Sequence, residues 1–131
     1  MTVTGGDPGD AAAAIVAAIN DREHEQLGSL LGADAEIVTG RSVHSGPEAI
    51  LAWASKEYDH LRRIYAIDEY RSVGSRVLAL GAVQYVWSEG GEVADSTPIA
   101  LEIELDGGRM ARLTVHDDVR AALIEFRSKR P

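Results

Sequence analysis

Few side chains in this sequence are placed to do chemistry, and Asp117 is the sharpest of them. It closes a run in which Leu113, Val115 and Asp117 alternate onto one face, so an apolar face ends on a carboxylate where the strand runs out. An acid there could act as proton donor and acceptor at the rim of a pocket. The plainer alternative is that Asp117 only flanks Asp118, which caps the next helix, and points to solvent. Asp68 is a weaker second acid. It falls among Ile64, Ala66 and Tyr70, so either a carboxylate is buried or a strand edge is exposed, and edge exposure is the commoner outcome. Trp53, Tyr85 and Trp87 are large flat side chains with polar tips, suited to core packing or to holding a ring. His44 and Arg41 sit together between residues 40 and 46, in a segment that reads as a loop able to gate a mouth. His24, His44, His60 and His116 show no H-x-H or H-x-x-x-H spacing, and there is no cysteine, so no metal site and no cofactor is expected.

These residues are positioned by elements that the periodicities predict. The stretch RVLALGAVQYVWS, Arg76 to Ser88, reads as a central strand apolar on both faces. Val77, Ala79, Gly81, Val83, Tyr85 and Trp87 line one side, and Leu78, Leu80, Ala82, Gln84 and Val86 the other. Residues 1–9 carry three glycines and a proline without apolar periodicity and read as a disordered lead-in to a single domain over 10–131. Asp10 can cap a helix through Asn20, and a second helix reaches Leu31, with Gly32 stopping it. Ala35 to Thr39 is a brief strand. A third helix starts at Ser45 or Gly46 with Pro47 in its first turn and runs to about Leu61, burying Ile50, Trp53, Ala54, Glu57, Tyr58 and Leu61. The period then turns to alternation. Strands are expected at Ile64 to Val73, Arg76 to Ser88, Val93 or Thr97 to Leu105, and Arg109 to Asp117, followed by a helix capped by Asp118 through Arg127. Helices at one end and an antiparallel meander at the other give an α+β layering, with helices on one face of a bent sheet.

Bulk properties narrow the partners. With 13 Lys and Arg against 21 Asp and Glu, the net charge of −8 repels a nucleic-acid backbone or an anionic membrane. The run AAAAIVAAI lacks the preceding cation of a signal peptide, and nothing reaches the ~18 apolar residues of a membrane span. A cytoplasmic, bacterial protein is the expectation.

The order of elements, together with AAIN-DRE after the first helix, GADAEIV at the first strand, V-x-x-G-x-E-A-I over residues 43–50 and ELDGGRMARL at the last turn, resembles the SnoaL-like branch of the nuclear transport factor 2-like (NTF2-like) superfamily. The resemblance runs from Asp10 to about Phe126. It implies a cone, in which a strongly curved antiparallel sheet wraps a long third helix and leaves an apolar cavity open at one end, and a homodimer formed through the outer sheet face. It also implies ligand-binding positions at Trp53, Tyr85, Trp87, Thr39, Leu101 and Val115, with Asp117 as the cavity acid. The ketosteroid isomerase pattern is not met: its Tyr, base Asp and protonated Asp fall at Ile15, Thr39 and Ala100 or Leu101. The dehydratase pattern of a His and an Asp in the cavity is not met either, because His44 reads as loop and His116 alternates away from the inward set. No inward arginine is evident on the central strands for an epoxide-hydrolase network.

Three functions follow as expectations. The first is binding of a small apolar or ring-containing molecule without chemistry. The second is a cyclase-like or isomerase-like enzyme using a partly desolvated Asp117. The third is a dimeric interaction module whose cavity is plugged by Trp53, Tyr85 and Trp87.

Overall fold

A computed structural model of the chain describes residues 8–55 and 60–128. Helix α1 (Pro8–Asp21) begins two residues before the expected start, with Pro8 and Gly9 inside it and Asp10 in its first turn. Proline fits the first turn, where its missing N–H has no partner to lose. Of the predicted lead-in, residues 1–7 lie outside the described residues. Ala12, Ile15, Val16, Ala18 and Ile19 form the buried stripe of α1. Helix α2 (His24–Leu30) ends one residue early. Leu31 leaves the helical region at φ −95°, ψ 137°, and becomes the first residue of strand β1 (Leu31–Val38).

The segment read as a loop around His44 contains strand β2 (Val43–Ser45), antiparallel to β1 with His44 opposite Ile37. The turn between them closes through Thr39. Its N–H donates to Ser42 O at 2.9 Å, and its Oγ1 accepts the N–H groups of Arg41 and Ser42 at 3.2 and 3.0 Å. A threonine hydroxyl supplies here the hydrogen bonds that a tight backbone turn lacks. Helix α3 (Pro47–Ala54) follows Gly46, whose φ of 88° suits glycine. Leu61 does not belong to α3 but opens the next strand; Glu57 and Tyr58, predicted on the same stripe, lie outside the described residues.

Strands β3 (Leu61–Val73), β4 (Arg76–Trp87), β5 (Val93–Asp106) and β6 (Arg109–His116) form the meander, and helix α4 (Val119–Ser128) completes the chain. The sheet order is β2-β1-β6-β5-β4-β3, with β1 parallel to β6, so the sheet is mixed rather than wholly antiparallel and is not closed. A bulge between Ile67 and Glu69 shifts the register of β3 against β4. It absorbs Asp68 as the extra residue, which leaves Asp68 exposed while Tyr65, Ile67 and Tyr70 all pack toward the core. Gly81 lies opposite this bulge. A Cβ there would stand 2.0 Å from Ala66 O, so only glycine lets β3 bend that closely over β4.

The main core lies between α1, α2 and α3 and one face of the sheet, with Ile15, Leu27, Ile37, Ile50, Val77, Leu101, Ile103 and Leu113 fully shielded. The opposite face is not bare. Val119, Ala122, Leu123 and Phe126 repeat at helical spacing along α4 and cover Leu78, Ala100 and Leu80. The expectation that every helix packs on one face fails here because α4 is amphipathic and lands on the outer side.

Candidate functional site

A cavity of about 450 Å³ opens at the end of the fold where β1, β4 and β6 run out. Thr39, Gly40, Arg41, Ser42 and His44 reach it from the β1–β2 hairpin, and Val115 and Asp117 from the end of β6. Arg63 on β3 and Tyr85 on β4 form the facing wall; the two are register partners. The hairpin of β1 and β2 lies at one end of the strand order and β3 and β4 at the other, with β6 between, so hairpin and facing wall share a cavity only because the sheet curls back on itself. Trp53 of α3 lies between them.

Trp53 is buried, at 7% exposure, in a ladder of flat groups. The Arg63 guanidinium lies 4.0 Å from the centre of its ring and donates to its backbone oxygen at 3.0 Å. Tyr65 stacks with Trp53 at 6.3 Å and 21°, and His44 is tilted to it at 6.4 Å and 43°. A cation over an indole face gains about 0.5–2 kcal/mol, so Arg63 is held in the wall rather than left to sweep through solvent. On the other wall, Ser42 Oγ bridges Thr39 Oγ1 and His44 Nε2, each at 3.1 Å. Thr39 Oγ1, which accepts two backbone N–H groups, also donates to the Ser42 carbonyl oxygen at 3.3 Å. The cavity therefore combines an aromatic ladder, a hydroxyl–imidazole chain, two guanidinium groups and one carboxylate. Such a set can clasp a ring and orient polar substituents, and Asp117 and His44 supply groups able to exchange protons.

The structure brings together Trp53, Tyr85, Thr39, Val115 and Asp117 of the expected positions with Arg41 and His44 of the segment read as a loop, and adds Gly40, Ser42 and Arg63. It leaves two apart. Trp87 is 45% exposed at the tip of β4, beyond the cavity, and Leu101 is fully shielded in the core beneath it. Both alternate correctly; depth along the strand separates them from the rim. Asp117 is exposed at the mouth, with Oδ2 beside the open Cα of Gly40. His116 faces the outer side, where its Nε2 lies 3.2 Å from Glu102. Arg62 and Arg63 fall between the expected third helix and the strand expected from Ile64, and the structure places both in β3. A strand beginning at Leu61 would have put Arg63 on the face of Tyr65. Among the described residues no three His, Cys, Asp or Glu side chains gather as metal ligands, and no helix is long and apolar enough to cross a membrane.

No protein-family model matches the sequence, and no curated protein matches it. Solved structures do. An NTF2-like protein of unknown function from Cytophaga hutchinsonii superposes with a TM-score of 0.70 over 94% of this chain and 99% of its own, at 14% identity. A SnoaL-like polyketide cyclase candidate from Shewanella denitrificans gives 0.72 over 93% and 98%, at 13% identity. The chain has the SnoaL-like, NTF2-like fold. An LEH-like epoxide hydrolase from M. tuberculosis is also similar to this chain, with a TM-score of 0.72 over 86% of this chain and 84% of its own, at 18% identity. Identities this low carry the fold and leave the chemistry of each cavity to its own residues.

Proposed function

We propose that this protein binds a small ring-containing molecule in the cavity at the open end of its sheet. The observation that supports the reading is the pairing of an aromatic wall, Trp53 and Tyr85, with a polar wall, Thr39, Ser42, His44 and Asp117, around about 450 Å³. That volume is within the usual range of small-molecule sites, and Trp53 and Tyr85 line the space without filling it. The polar wall argues for a ring bearing hydrogen-bonding groups over a wholly apolar one. Trp53→Phe and Trp87→Phe test it by fluorescence. Titration with ring compounds should quench the parent and Trp87→Phe alike, and Trp53→Phe far less. Quenching that follows Trp87 would place the ligand elsewhere.

A second reading, cyclase-like or isomerase-like catalysis, is favoured by the presence of Asp117 in the same cavity as the aromatic wall. Under it, Asp117→Asn abolishes turnover and leaves ring binding intact. We further infer a homodimer in a bacterial cytoplasm. Beyond the part of the outer face that α4 covers, Ile64, Ala82, Val86 and the exposed Val93 form an apolar area on the sheet that a second copy could cover. A stable dimer needs about 1,200 Å² or more of total buried surface. Ala82→Glu should then sediment as monomer where the parent sediments as dimer.

A further inference from the structure

We infer that the cavity carries a serine nucleophile, Ser42, with His44 as its base, and that the chemistry this pair suits is cleavage of an aryl ester. The inference rests on the binding reading above and adds a reaction to it. Ser42 Oγ lies 3.1 Å from His44 Nε2, within the reach at which a general base takes a hydroxyl proton. The two residues flank Val43 at the start of β2, and side chains two apart on a strand share a face. Both line the cavity.

The neighbouring hydrogen bonds decide where the protons go. Thr39 Oγ1, the other group beside Ser42 Oγ, accepts the N–H groups of Arg41 and Ser42 with both its lone pairs and sends its own proton to the Ser42 carbonyl. The Ser42 hydroxyl proton is therefore left to His44, in the tautomer that carries its own proton on Nδ1. Ser55 and His24 supply the contrast. Their Oγ and Nε2 are also in contact, but Ser55 Oγ donates to Leu51 O at 2.8 Å, so the imidazole there must give a proton and cannot take one. Ser55 does not line the cavity either.

The pair is held before any ligand arrives. The Ser42 carbonyl accepts from Thr39 N–H at 2.9 Å, its N–H donates to Thr39 Oγ1 at 3.0 Å, and the His44 ring packs against Trp53 at 6.4 Å. An ester whose ring lies along Trp53 and Tyr85 turns its carbonyl toward the polar wall. Ser42 Oγ then adds to the carbonyl carbon as His44 Nε2 takes the hydroxyl proton, and Arg41, part of the same wall, supplies positive charge for the oxygen anion of the tetrahedral intermediate. The bond from the acyl carbon to the phenol oxygen breaks, the departing phenolate takes the proton from His44, and the acyl group stays on Ser42. Water adds next, with His44 again taking a proton. The carboxylic acid leaves as that proton returns to Ser42 Oγ.

The test uses 4-nitrophenyl acetate, followed by phenolate release, and an aryl phosphonofluoridate, which phosphonylates an activated serine with loss of fluoride. Peptide mapping of the unaltered protein should find the acetyl or phosphonyl group on Ser42 and not on Ser55. Ser42→Ala and His44→Gln should each slow phenolate release by about tenfold or more, and Ser55→Ala should leave it unchanged. Mapping needs no variant, so it decides the matter should either replacement fold poorly. An unlabelled Ser42, or equal labelling of Ser55, would overturn the inference. Release that survives Ser42→Ala and is lost in Asp117→Asn would overturn it too, assigning the hydrolysis to the acid. Quenching of Trp53 by 1-naphthamide, which carries no ester, separates the two readings. Quenching without label leaves the pocket standing and removes the nucleophile; neither quenching nor label removes both.

Discussion

Replacing Asn20 should unfasten α1 from the sheet. Its side-chain amide pairs with the backbone of Tyr65 in both directions, Nδ2 donating to Tyr65 O at 2.9 Å and Oδ1 accepting from Tyr65 N at 2.8 Å. Strand β3 is an edge, so the Tyr65 groups that turn away from β4 have no neighbouring strand, and Asn20 stands in for one. Tyr65 is itself only 4% exposed, which leaves little access for water to take over. A net hydrogen bond is worth about 0.5–1.5 kcal/mol and an orphaned buried group costs about 1–3 kcal/mol. In this part-buried setting the two bonds together should contribute about 2–3 kcal/mol. Asn20→Ala should therefore lower the urea midpoint by about 1–2 M, given slopes of about 1–3 kcal/mol/M for small proteins. Asn20→Asp loses the donor alone and should retain an intermediate stability. Equilibrium urea unfolding measures the first effect, and hydrogen exchange at the Tyr65 amide the second. A loss below about 0.5 kcal/mol, with unchanged exchange at Tyr65, would refute the assignment of Asn20 as an edge cap.

Gly81→Ala should cost about 1–3 kcal/mol or more, because its Cβ would strike the Ala66 carbonyl and no rotamer can relieve a backbone clash; a thermal melt several degrees below the parent checks it. Glu102→Ala removes the buried carboxylate that Arg76 and His116 share at 3.3 and 3.2 Å beneath α4, and should cost about 1–3 kcal/mol, with earlier proteolysis of the C-terminal helix as readout. Burial raises the Tyr70 hydroxyl above its ordinary value of 10.0. The unfolded chain then releases that proton first, so stability should fall as pH rises above 10.0, and Tyr70→Phe should remove part of the fall in alkaline urea titrations.

Much of the frame was legible in the residues. Alternation in Arg76 to Ser88 and in Ile99 to Leu105 marked two strands whose inward sets, Val77, Ala79 and Val83 with Ile99, Leu101 and Ile103, are the ones buried against the helices. Asp118 was recognisable as a cap, and its Oδ1 accepts the Ala121 N–H at 3.0 Å. The bulge at Asp68 was not legible, since a single extra residue leaves the composition of a strand unchanged while reversing every face beyond it. Nor was the hairpin at His44, whose strand is three residues long and held by a turn that a threonine side chain closes.

Local sequence thus determined which faces are apolar, where the chain turns, and that an acid ends the last strand, because these depend on periods of two or 3.6 residues and on single capping groups. Only the tertiary structure decided which of those faces meet. The curl of the sheet carries Arg63 and Tyr85 from one end of the strand order to Thr39 at the other, with Asp117 of the intervening β6 beside them, and it leaves Trp87 beyond the rim and Leu101 below it. Distances along the chain hold no record of that curl, which arises from a bulge and a glycine acting across two strands at once.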